Sequence, residues 1–173
     1  MVGVGATGRE SALARCSVVD GAGRVLLDAH VRPRERITDF RTKYSGVRAK
    51  DLRDALTLRE CQTRVARLLD GKILVGHALQ NDLAVLMLSH PWSRIRDTAR
   101  YAPLMRKAAS GTKRRKPRKL RDLAREHLEG LEDFQAGEHS SVDDARAALR
   151  LYLKFQGAWE ASLLHILTRG RRA

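Results

Sequence analysis

Acidic residues are scarce in this chain. Its 173 residues carry 20 Asp and Glu against 34 Lys and Arg, a formal charge of +14. That imbalance says little about fold but points to a polyanion, nucleic acid above all, bound with strong salt dependence. Cysteines number two, Cys16 and Cys61, with no Cys-x-x-Cys or Cys/His spacing. This argues against a disulfide framework or a zinc site and for two reduced core residues. No apolar run approaches the roughly 18 residues of a membrane span, and no basic segment followed by an apolar one opens the chain. A soluble, intracellular protein is expected. Aromatic residues make up only 5%, too few for a broad base-stacking platform.

What is present is organised as one domain, long enough to bury a core. Residues 11–20 and 24–31 are apolar, partly β-branched runs joined by Gly21-Ala22-Gly23, a hairpin signal. Residues 37–47 show no clean periodicity and read as a loop. Thr57-Leu58-Arg59-Glu60 is a capping box that opens a helix, and Gly71 closes it. A short apolar strand at 72–76 leads into a helix carrying Asp82. Another strand follows at 95–98, a helix spans about 119–128, and a last long helix starts near Ser141. Strands first, then alternation, predict an α/β fold: a mixed sheet flanked by helices. Residues 106–119 hold eight bases and no acid, a basic loop with two readings, a phosphate-holding segment and a nuclear localisation signal.

Chemistry concentrates in Glu138-His139-Ser140-Ser141-Val142-Asp143-Asp144. An imidazole on a loop five residues before a first-turn carboxylate joins a base for water to a hard oxygen ligand for a cation. Asp82 follows a short buried strand and adds a second acid. Alone, each has a plain reading: Asp144 as half of a helix cap, Asp82 as a first-turn acid, His139 as a surface residue. Asp143 reads as a solvated acid, and His77 and Asp97 as structural hydrogen-bonding residues.

Seven stretches occur in order: residues 1–5 (MVGVG), 13–17 (LARCS), 38–42 (TDFRT), 45–47 (SGV), 75–82 (VGHALQND), 96–98 (RDT) and 139–145 (HSSVDDA). Together, from residue 1 to about 160, they closely resemble the DEDDh 3′–5′ exonucleases, in the RNA exonuclease 4 and interferon-stimulated 20 kDa exonuclease branch. The resemblance implies a ribonuclease H-like fold over 1–160, with a basic tail at 161–173. It implies two-metal hydrolysis with Mg²⁺ or Mn²⁺ at the 3′ end of RNA, extending to single-stranded DNA, with release of nucleoside 5′-monophosphates. It assigns Asp82 and Asp144 as metal ligands, His139 as the base, and Arg41 and Met1 as contacts to the terminal nucleotide. A monomer in the nucleus or nucleolus is the corresponding expectation.

The chain departs from the family in one respect. Members carry an Asp-x-Glu immediately before the Met-Val-Gly stretch, on the first, central strand, and both acids bind metal. The sequence starts at Met1, so the first central strand is expected to be truncated, the metal site weakened and a gap left in the sheet. An incomplete record of an enzyme is the favoured explanation. A short isoform or a pseudoenzyme that binds RNA without cutting it is the alternative.

Overall fold

The computed structural model describes residues 1–107 and 115–169, with side chains to residue 165. The hairpin appears where Gly21-Ala22-Gly23 predicted it, between β3 (Arg15–Val19) and β4 (Val25–Arg32), paired antiparallel from Arg15–His30 to Val19–Val25. The run expected as a single strand over 11–20 is two. Residues Glu10–Ala12 form β2, which turns away to pair with β1 (Val2–Val4). Between them Leu13 and Ala14 are buried, and the Ala14 carbonyl accepts from the Val31 amide at 2.9 Å. Burying that corner and pairing its carbonyl bends the chain out of one sheet into the other.

The 37–47 segment is more regular than its sequence suggests. Ile37–Asp39 is β5, antiparallel to the other edge of β1, and Thr42–Ser45 is a one-turn helix, α1. Both are too short for a periodicity to be counted. A two-residue strand, β6 (Leu56–Thr57), pairs parallel with β4, and α2 (Leu58–Leu69) starts at the predicted box. The Glu60 amide donates to Thr57 Oγ1 at 3.2 Å and the Thr57 amide to Glu60 Oε2 at 2.7 Å. Then come β7 (Leu74–Gly76), α3 (Leu79–Val85), β8 (Ile95–Asp97), α4 (Leu120–His127) and α5 (Ser141–Arg169). Helix α5 passes residue 160 unbroken. No helix among the described residues is long and apolar enough to cross a membrane.

The predicted α/β architecture is present, but its strands form three ladders, β2-β1-β5, β3-β4-β6 and the parallel pair β7-β8. Strands β3 and β7 each have one edge that no described strand pairs with. Between those edges lies a cavity of about 910 Å³, with β3 and β7 along its sides. Ala148, Leu149 and Tyr152 of α5 close one face, and Val65, Leu68 and Leu83 of α2 and α3 close the other. The cavity's lining is mostly apolar.

Of the basic run, residues 108–114 lie outside the described residues. Its base is closed by antiparallel pairing of Arg106 with Lys116, and Arg115 Nη1 donates to the Ala102 carbonyl at 2.8 Å.

Candidate active site

Asp82 depends on how α3 begins. Strand β7 ends at Gly76, and Ala78 must then adopt a left-handed backbone, φ 60°, which costs a residue with a Cβ about 1 kcal/mol. The parallel register sets Asp97 opposite Gly76. The buried Asp97 carboxylate accepts from the amides of Ala78 at 2.7 Å, Leu79 at 3.1 Å and Ala99 at 2.9 Å. These bonds hold the strained turn and satisfy the first amides of α3. Thr98 Oγ1 sits 2.9 Å from His77 Nδ1 and donates to the Gly76 carbonyl at 2.9 Å. Asp97 and His77 are therefore the structural hydrogen-bonding residues that were expected.

One turn on, Asp82 lines the cavity and is open to solvent. Burial raises its pKa above the ordinary carboxylate value, partly offset by the Met1 amine.

Asp144 stands in the first turn of α5 and lines the same cavity as Asp82 and Met1. Burial raises its pKa too. The opposing pulls are a 2.6 Å hydrogen bond donated by Gln135 Nε2 to Oδ1, then the nearby imidazoles of His139 and His77. Gln135 has a left-handed backbone, φ 58°. Nothing in the sequence announced this residue, because a glutamine in a polar loop carries no pattern. Asp143 beside it is exposed and pairs loosely with Arg146 at 3.5 Å, as expected for a solvated acid.

His139 is held by α1. Its amide donates to the Lys43 carbonyl at 3.1 Å, and its ring meets Tyr44 edge-on at 5.5 Å and 86°. The preceding Glu138 takes both arms of Arg48, at 2.8 and 2.5 Å. Gly46 allows this approach. Its φ is 64°, and a Cβ there would stand 2.7 Å from the His139 carbonyl oxygen.

Arg41 sits elsewhere. Left-handed at φ 49°, it sends its guanidinium to the carbonyls of Gly8 at 2.6 Å and Arg9 at 3.3 Å and to Ser11 Oγ at 2.9 Å. Its donors brace the turn between β1 and β2. The structure thus brings Met1, Asp82 and Asp144 to one cavity, sets His139 against Tyr44 of its lining and near Asp144, and leaves Arg41 outside it.

Two carboxylates and an imidazole can hold a cation loosely and move a proton. Among the described residues, no group of three or more His, Cys, Asp or Glu side chains converges as a metal ion would require. The residues present do not fit a pair of catalytic cations.

Residues 1–152 match the family described as Exonuclease (RNase_T). The chain is 48% identical over 159 residues to RNA exonuclease 4 of Saccharomyces cerevisiae, covering 92% of this chain and 53% of that protein. To RNA exonuclease 4 of Homo sapiens it is 45% identical over 161 residues, covering 93% and 36%. The chain therefore spans about half, or less, of the length of these curated relatives. Among solved structures it is similar to the Saccharomyces cerevisiae apo Pan2 pseudoubiquitin hydrolase-RNA exonuclease module in complex with A7 RNA. There the TM-score is 0.73 at 29% identity, over 99% of this chain and 30% of that one. The Neurospora crassa Pan2 catalytic unit matches with a TM-score of 0.70 at 26% identity, over 94% and 27%. With a family match over nearly the whole chain and these folds as neighbours, the chain belongs to the DEDDh exonuclease family, in its RNA exonuclease 4 branch.

Proposed function

We propose that this chain carries the 3′-end-cleaving domain of an RNA exonuclease that releases nucleoside 5′-monophosphates. The observation that carries the reading is the convergence of Asp82 and Asp144 on one cavity, with His139 held against Tyr44 of its lining. The RNA exonuclease 4 relatives and the RNA-bound Pan2 neighbours support RNA as the substrate, and single-stranded DNA is a weaker second. In this reading His139 takes the proton of the attacking water, oriented by the Lys43 carbonyl behind it and the Tyr44 ring beside it. Met1 flanks the terminal nucleotide, and Arg41 acts on it indirectly, by holding the turn next to β1 in shape.

The family uses divalent ions, with Mg²⁺ or Mn²⁺ proposed here. Asp82 and Asp144 would supply hard oxygen donors, and a bound ion would supply charge neutralisation. Because the described residues do not make a complete cage, that deficit favours a second reading: an RNA-binding protein on the same fold that does not turn over. From the basic run at 106–119, a nuclear and nucleolar address is proposed for either.

The test is 5′-labelled single-stranded RNA incubated with the chain and Mn²⁺, with and without EDTA. Stepwise, EDTA-sensitive shortening supports the enzyme, and salt-sensitive binding without shortening supports the second reading. In an active form, His139→Ala should abolish shortening and leave binding intact. Equal rates would sink the base assignment.

A further inference from the structure

Among the described residues, the aromatic side chains that stand open to solvent are Tyr44, 66% exposed, and Trp92, 63% exposed. Trp92 lies in the turn before β8. Tyr44 stands at the candidate site, lining the cavity that holds Asp82 and Asp144. The backbone turn that carries the Tyr44 ring is fixed by hydrogen bonds. The turn that carries it, α1, is closed at both ends by left-handed residues, Arg41 and Gly46. Inside it, Thr42 Oγ1 donates to the Val47 carbonyl at 3.0 Å and Ser45 Oγ to the Phe40 carbonyl at 2.7 Å. The buried Ser45 also accepts from the Val47 amide at 3.1 Å. Among the described residues, the ring that meets the tyrosine is that of His139, with the two planes 86° apart. Lys43, the tyrosine's neighbour in the chain, is exposed.

An exposed ring on a hydrogen-bonded turn, against the candidate base and next in the chain to an exposed lysine, suits a flat apolar surface attached to a phosphate. We propose that Tyr44 stacks on a nucleobase of single-stranded RNA near its 3′ end and thereby sets the register of the terminal phosphodiester against His139. This rests on the exonuclease reading above. Stacking needs an unpaired base but not a particular one, so the device selects single strands over duplex and is tolerant of sequence. One such ring is compatible with the overall scarcity of aromatics, because it fixes a register rather than tracking a strand.

The test compares two ligands of equal charge: a single-stranded oligoribonucleotide and an abasic ribose-phosphate oligomer of the same length. Tyr44→Ala should weaken binding of the first by about tenfold or more and leave the second unchanged. Tyr44→Phe should bind as the parent does. Tyr44→Leu, which keeps bulk against His139 but has no π-face, should behave like the alanine variant. Tryptophan fluorescence of Tyr44→Trp should be quenched by the RNA and not by the abasic oligomer. Equal loss on both ligands, or no loss on either, would overturn the stacking role while the exonuclease reading stands. Absence of any RNA binding by the parent chain would overturn both.

Discussion

The two sides of the β7-β8 pair are built differently. On the side of α4 and the far half of α5, Leu104, Leu123 and Leu151 are essentially fully buried. Tyr101 and Trp159 stack at 4.0 Å with planes 4° apart. Buried Arg96 grips Glu160 at 2.6 and 2.7 Å, and Tyr152 donates to the same carboxylate at 3.0 Å. On the β3 side, the 910 Å³ slot separates strands whose facing edges are unpaired among the described residues. Asp82 and Asp144 line the slot, and neither has an arginine partner among the described ion pairs. Stability is concentrated where there is no chemistry, and the chemical groups gather where packing is loose.

The contrast can be broken most strongly at Trp159. Trp159→Ala removes a buried ring and its stacking partner and should cost about 3–5 kcal/mol in urea denaturation. Leu149→Ala, which faces the slot, should cost well under half of that, since its atoms already border open space. Comparable losses would mean the slot is closed in solution.

Next in size is Arg96→Met, which takes two bonds from the partly exposed Glu160 and should cost about 2 kcal/mol. Asp97→Ala follows at about 2 kcal/mol, because three amides lose their acceptor. Its signature is that Ala78→Gly, which relaxes the left-handed turn, should recover about 1 kcal/mol in the double variant. No recovery would show that Asp97 does not act through that turn.

The smallest effect sharpens the comparison from the other side. Burial raises the Asp144 pKa, so the stability it contributes is whole below the unfolded carboxylate value, near 3.9, and is lost as pH rises through the raised value. Asp144→Asn should therefore melt slightly higher than the parent near neutral pH, with the difference vanishing in acid. A lower midpoint at neutral pH would mean that the ionised carboxylate is net stabilising.

Much of this was legible because it is local. The capping box at Thr57 and Glu60, the Gly21-Ala22-Gly23 turn and the strand–helix succession around Asp82 are set by neighbours within a few residues. The break after Ala12 was not, because it answers to Val31, on another strand. Nor did Ala78 betray its left-handed backbone, since alanine carries no such signal where glycine or asparagine would.

By itself, then, the sequence determined the family, the net positive charge and the helix starts, and it put forward Asp82, Asp144 and His139 as candidates. Tertiary structure alone decided that Asp82 and Asp144 share a cavity, that Gln135 holds Asp144, that Arg41 spends its donors on the Gly8 turn, and that Tyr44 stands free beside His139. The reason is separation along the chain. Ser17 and Ser141 meet at 2.6 Å across 124 residues, and Arg48 meets Glu138 across 90. Propensity, capping and periodicity act over a turn or two, so they fix each element but not which side chains of distant elements come to face one another.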